Sequence, residues 1–197
     1  MPQVDWWLAL TDVHEDTRIA YWYDPRLYLC AVADVGRSAD PPIEWRIEAK
    51  GGEVVGIEVG SISGRFLGIV VILTHGTVVR LARSLVHEGL TIVKGAPAFD
   101  ISAWPRSANG GCANSPCDGG EFERIVQKCG QVSVGIDNGS VIFRLANGTP
   151  ARLVVMDDKL YVGFDKDNRI SYLELRLVEE SIISSILTYF GTCPGWS

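Results

Sequence analysis

Histidine is the side chain whose protonation changes near neutral pH, so His14, His75 and His87 are the first places to look for acid–base chemistry. None stands in an HxH or HExxH arrangement. His14-Glu15-Asp16 beside Asp12 is a compact polar cluster with the atoms to hold a divalent cation, yet hard cations need oxygen ligands converging from elsewhere in the fold. A charged, solvated turn explains it as well. The five cysteines, Cys30, Cys112, Cys117, Cys129 and Cys193, are odd in number and contain no CxxC pair, which argues against a disulfide scaffold and a structural zinc site. Cys112-x4-Cys117 with Cys129 has no nearby histidine as a fourth ligand. A cysteine–histidine nucleophile pair has no specificity here, because any Cys with any His satisfies it. No GxSxG elbow, Walker loop or GxGxxG opening a helix occurs, and the glycines at 56, 60 and 64 lie in strand-like sequence. Neither catalytic residues nor a cofactor or metal is expected.

Aromatic residues in acidic surroundings carry more information. Trp6, Trp7, Tyr21, Trp22, Tyr23 and Tyr28 crowd the first 28 residues together with Asp5, Asp12, Glu15, Asp16 and Asp24. Tryptophan and tyrosine are enriched at binding hot spots, and carboxylates around them suit a cationic partner. The competing reading is that Trp7, Trp22 and Tyr28 fill a core. The net charge is −6. Residues 1–48 hold nine acids against four bases, so that quarter carries most of the imbalance. Nucleic acid, which rewards clustered Lys and Arg, is disfavoured.

The elements that must position these groups are mostly strands. At 43–49, Ile43, Trp45, Ile47 and Ala49 alternate with Glu44, Arg46 and Glu48, the pattern of a half-buried strand. Lys50-Gly51-Gly52-Glu53 can reverse the chain, and 54–59 returns. Residues 132–136 and 140–145 flank Asp137-Asn138-Gly139, a strong hairpin signal. Turns at 147–150, 157–158 and 165–168 then separate strands at 152–156, 160–164 and 169–177, an expected meander of about five strands. The sequons at Asn138 and Asn147 are explained as turn chemistry. A faint repeat links residues 53–59 with 169–175, matching Ile57 to Leu173, Glu58 to Glu174 and Val59 to Leu175. A shared hairpin pattern explains it as well as duplication does.

Helix is the minority. Residues 77–87 place Val78, Leu81 and Leu85 on one face, although the β-branched start keeps a strand open there. Residues 121–129 read as a short amphipathic helix and 179–190 as a terminal one. The segment 103–120 is too rich in Gly, Pro, Ser and Asn to be regular. The fold class is therefore α+β and β-dominated: a mostly antiparallel meander and hairpin sheet with a few short helices. One domain over 1–197 is expected, with β-rich halves at about 1–95 and 121–197. The longest apolar run, 66–73, is far short of the ~20 residues a membrane helix needs. With no secretory signal visible at the N-terminus, no membrane is expected and the cytoplasm is the expected compartment.

In its size, acidic balance, hairpin strands and closing segment 160–175, Leu-Tyr-Val-Gly-Phe-Asp-Lys-Asp-Asn-Arg-Ile-Ser-Tyr-Leu-Glu-Leu, the chain resembles immunity proteins of bacterial polymorphic and contact-dependent toxin systems. The likeness covers about the last third of the chain and carries no catalytic motif. It implies a non-enzymatic protein that binds a cognate toxin domain with a basic surface, such as a nuclease, and blocks it stoichiometrically. On that reading Asp12, Glu15, Asp16 and Asp24 steer the partner, Trp6 and Trp22 anchor it, and Trp104 and Arg106 in the irregular loop form a second contact. The rival expectation is an enzyme or small-ligand protein whose groups converge only in three dimensions. A self-associating structural β protein is a third.

Overall fold

A strand whose alternate residues are apolar buries one face only. The chain follows that rule in a computed structural model describing residues 8–15, 17–24, 28–34, 40–48, 54–73, 79–81, 89–102, 104, 124–128, 132–145, 149–176 and 178–190. Its strands are β1 (Leu10–His14), β2 (Arg18–Asp24), β3 (Tyr28–Asp34), β4 (Pro42–Glu48), β5 (Val54–Gly60), β6 (Phe66–Ile72), β7 (Val79–Leu81), β8 (Thr91–Lys94), β9 (Ala96–Phe99), β10 (Arg124–Lys128), β11 (Ser133–Asp137), β12 (Ser140–Arg144), β13 (Arg152–Met156), β14 (Leu160–Phe164) and β15 (Ile170–Leu175). Among the described residues one helix, α1 (Glu180–Phe190), follows. The protein is β-dominated and mostly antiparallel, as the alternation requires.

Three sheets form. One has six strands in the order β10-β4-β5-β6-β3-β2, one has seven in the order β7-β11-β12-β15-β14-β13-β8, and β1 pairs with β9 as a two-stranded ribbon. Within the two large sheets lies the same arrangement. Five consecutive strands, β2 to β6, stand in the spatial order first, second, fifth, fourth, third, and β11 to β15 repeat that order. All four pairings inside each set are antiparallel, and in each the third strand carries a parallel neighbour on its outer side, β10 on β4 and β8 on β13. This is a Greek-key order, because the fifth strand returns beside the second. The expected hairpins are present. The link between β12 and β13 departs from a plain meander by skipping over β15 and β14.

The inward rows of the two sheets meet in one core. Trp45 and Ile57 from the six-stranded sheet are fully buried, as are Val134, Phe143, Leu173, Val162 and Val154, one from each of β11, β12, β15, β14 and β13 in the seven-stranded sheet. Each such side chain contributes about 2 kcal/mol on leaving water. The β1–β9 ribbon closes one end: Ala98 bridges to Arg65 at the start of β6, and Ala9 bridges to Arg169 at the start of β15.

The β11–β12 hairpin turns on Asn138 and Gly139, with φ of 24° and 83°. That left-handed geometry is why Asn-Gly signals a tight reversal. The helix at the C-terminus forms over Glu180–Phe190 and sets Ile186 into the core. The helix expected at 121–129 does not form: Arg124–Lys128 is β10, paired parallel to β4 along its whole length. A five-residue segment with Ile125 and Val126 at its centre gains more from a sheet edge than from an isolated helical turn. At 77–87 the strand alternative holds for Val79–Leu81, which pairs with β11. The faint repeat falls on β5 and β15, which are not equivalent in the two five-strand sets, where β5 corresponds to β14.

Candidate functional site

Residues that alternate with the core positions of the six-stranded sheet form its outward face. Two cross-strand rows define it. Arg46, Gly56, Val70, position 30 and Trp22 lie side by side in register, and next to them run Glu44, Glu58, Gly68, position 32 and Ala20. Glycine at 56 leaves room for its neighbour: a Cβ there would lie 2.5 Å from Glu44 Oε1. The Glu44 carboxylate thus rests over Gly56, where Arg46 Nη2 donates to Oε1 at 2.8 Å and to Oε2 at 3.2 Å, and Nε donates to Oε1 at 3.1 Å. Glu58 stands directly opposite Glu44 in the register. Burial, and then the charge of Glu44, push the Glu58 carboxyl above its ordinary value.

β2 is one of the two edges of this sheet among the described residues. An edge strand exposes unpaired N–H and C=O groups, and side chains from the β13–β14 turn occupy part of this one. Asp157 Oδ2 accepts from Ile19 N at 3.1 Å, Lys159 Nζ donates to Ile19 O at 3.0 Å, and the two side chains pair at 3.2 Å. The Tyr21 hydroxyl donates to the Lys159 carbonyl, which also accepts from Arg176 N at 2.6 Å. Burial raises the Tyr21 phenol well above its ordinary range. One residue further, Trp22 points outward and is 57% exposed, an unusual state for so large an apolar group.

Of the residues named from sequence, Asp12 and Glu15 are exposed on and just after β1, with His14 half-buried between them. Asp12 Oδ1 accepts only from its neighbour Val13 N, at 2.8 Å, among the described residues. Glu15 precedes Arg18, the first residue of β2, by three positions, so chain connectivity carries this acidic segment directly into the strand that presents Trp22. Asp24 ends β2, and its side chain lies outside the described residues, as do Trp6, Asp16, Arg106, His75, His87 and the cysteine side chains. Trp104 is a correction. It is 5% exposed and belongs to the main core, as Phe99 and Ile101 before it do, and its N–H donates to the Ile101 carbonyl at 3.1 Å, so it offers almost no surface to a partner.

A second polar constellation, invisible in the sequence, lies on the outward face of the seven-stranded sheet. Glu174 is 1% exposed; Tyr172 Oη donates to its Oε2 at 2.7 Å, and Arg176 Nε lies 3.1 Å from its Oε1 as an ion pair. Arg176 Nη1 donates to Tyr161 Oη at 2.8 Å. Ile142, Leu153, Val155, Tyr161 and Tyr172 form a small apolar cluster around it. A buried carboxylate needs such partners: Oε2 accepts the Tyr172 hydroxyl, while Oε1 has the Arg176 charge beside it but accepts no hydrogen bond among the described residues.

Among the described residues, no group of three His, Cys, Asp or Glu side chains converges as metal ligands, and no helix is long and apolar enough to cross a membrane. No protein-family pattern matches the chain, and no characterised protein matches it in sequence.

Proposed function

We propose that the chain is an acidic binding protein whose partner is a protein with a basic surface, and that it neutralises a bacterial toxin domain by stoichiometric binding. The observation that carries this reading is the exposed Trp22 on an edge strand that continues from the exposed carboxylates Asp12 and Glu15. Desolvating an exposed indole at the centre of an interface is worth several kcal/mol in favourable cases, and carboxylates nearby speed encounter with a cationic surface. The toxin as occupant follows from the likeness to immunity proteins, and the absence of a recognised catalytic motif accords with it.

Two observations test the reading. A large secreted toxin encoded beside this gene supports it, whereas a neighbourhood of metabolic enzymes argues against it. Reversing Asp12 and Glu15 to lysine is expected to slow association with that toxin about tenfold at low ionic strength and to flatten the salt dependence of the rate. Stopped-flow association rates that do not change would remove these carboxylates from the encounter surface.

A further inference from the structure

The repeated strand order leaves one position filled in one half of the molecule and open, among the described residues, in the other. In the seven-stranded sheet the first strand of its set, β11, carries β7 on its outer edge: Val79, Arg80 and Leu81 run parallel to Val134, Gly135 and Ile136. The counterpart of β11 in the six-stranded sheet is β2. Matching the two hairpins at their last pairs, Asp137 with Ser140 and Asp24 with Tyr28, sets Tyr21, Trp22 and Tyr23 against Val134, Gly135 and Ile136. The inward rows give the same match. Tyr21 heads the row that runs through Ile69 and Ile57 to Trp45, and Val134 heads the row through Phe143, Leu173 and Val162 to Val154.

On β2 no strand occupies that place among the described residues. The Asp157–Lys159 turn meets the edge at Ile19, whose N–H and C=O both face outward to it. Along an antiparallel strand these groups alternate in direction, so those of Tyr21 and Tyr23 face the same way as those of Ile19. Beside them stands the exposed Trp22.

We propose that the Tyr21–Tyr23 edge of β2 receives an extended segment of the protein partner as an added parallel strand. This rests on the binding reading above and specifies how the partner is held. The equivalent edge of the same molecule sets the chemistry of the occupant: an apolar–basic–apolar run such as Val79-Arg80-Leu81, with main-chain hydrogen bonds supplying the attachment and Trp22 covering one face. A basic residue at its centre suits the first 48 residues, which hold nine acids against four bases.

The test uses the full chain, labelled with nitrogen-15, and a synthetic peptide of its own residues 76–84 as the stand-in strand. Saturable amide shifts at Tyr21, Trp22 and Tyr23 are expected, with hydrogen exchange at Tyr21 and Tyr23 slowed about tenfold. Tyr23→Pro removes one outward N–H while sparing the ladder to β3, and is expected to weaken peptide binding about tenfold. Three results on the unmutated chain would overturn the proposal, whatever the proline variant does: no saturable shift up to millimolar peptide, shifts confined to Val134–Ile136, or slow exchange at Tyr21 and Tyr23 before peptide is added. A concentration-dependent dimer formed through this edge would also replace it. If the whole partner binds without protecting Tyr21 and Tyr23, strand addition fails and the acidic binding reading stands. If no partner binds, both fail.

Discussion

Glu58 shows how much a single position depends on its register. Like charges directly opposite each other on antiparallel strands are destabilising, and Glu58 faces Glu44 while Arg46 binds Glu44. A carboxyl whose folded value is raised favours its protonated form in the native state. Its cost is absent below the ordinary value of 4.5 and grows as pH rises through the folded value. Glu58→Gln is therefore expected to raise the melting temperature at pH 7 by roughly 2 °C, about 0.5 kcal/mol, and the gain should vanish near pH 4. A thermal melt showing the variant less stable at pH 7 would contradict the register-based account. None of this was readable from composition. The sequence places Glu44 and Glu58 on the polar sides of two strands, but only the pairing puts them opposite each other. The same is true of Glu174, which Tyr172 reaches from two positions away on β15 but which Tyr161 faces only once β14 and β15 are aligned. Trp104, by contrast, was legible as a large aromatic and misassigned as a surface one, because a loop-like sequence says nothing about which of its side chains turns inward.

Elements with strict alternation were the most legible. In β4, Ile43, Trp45 and Ile47 are buried and the residues between them are not, as the period of two requires. Short apolar pieces were ambiguous. β7 and β10 are three and five residues long, and a helix or strand assignment for such lengths is decided by the neighbour they meet. Hydrogen bonds from turn side chains to strand edges have no sequence signal, yet they fix where β2 sits. Accepting the Ile19 N–H, and then pairing with Lys159, hold the Asp157 carboxyl below its ordinary value. Asp157→Ala is expected to cost about 1 kcal/mol, seen as a lower urea midpoint at neutral pH. Because a depressed carboxyl contributes stability above its ordinary value that is lost as pH falls through the folded one, the difference from the unmutated chain should shrink below pH 4. A midpoint unchanged at pH 7 would mean that the turn does not secure the edge.

At the scale of the whole molecule, two five-strand sets of identical order share one core and differ in what they do with their outward faces. The set from β11 to β15 buries that face, with Ile142 and Leu153 fully enclosed. The set from β2 to β6 keeps Arg46, Glu44 and Glu58 partly exposed and Trp22 largely so. The repeat in strand order was not legible, because the residues that look alike in sequence fall on strands that are not equivalent. The asymmetry between the faces was partly legible in the acidic excess of the first 48 residues. The proposed binding reading rests on this asymmetry, which leaves Trp22 and its neighbouring carboxylates exposed on one side. The most direct measurement of the proposed neutralisation is a titration, with the purified chain, of any toxin domain that a neighbouring gene encodes, following the toxin's own activity. Complete suppression at one equivalent is expected for the unmutated chain, with at least a tenfold higher amount needed for a folded Trp22→Ala variant. Undiminished toxin activity in excess chain, or equal potency of the variant, would contradict the account.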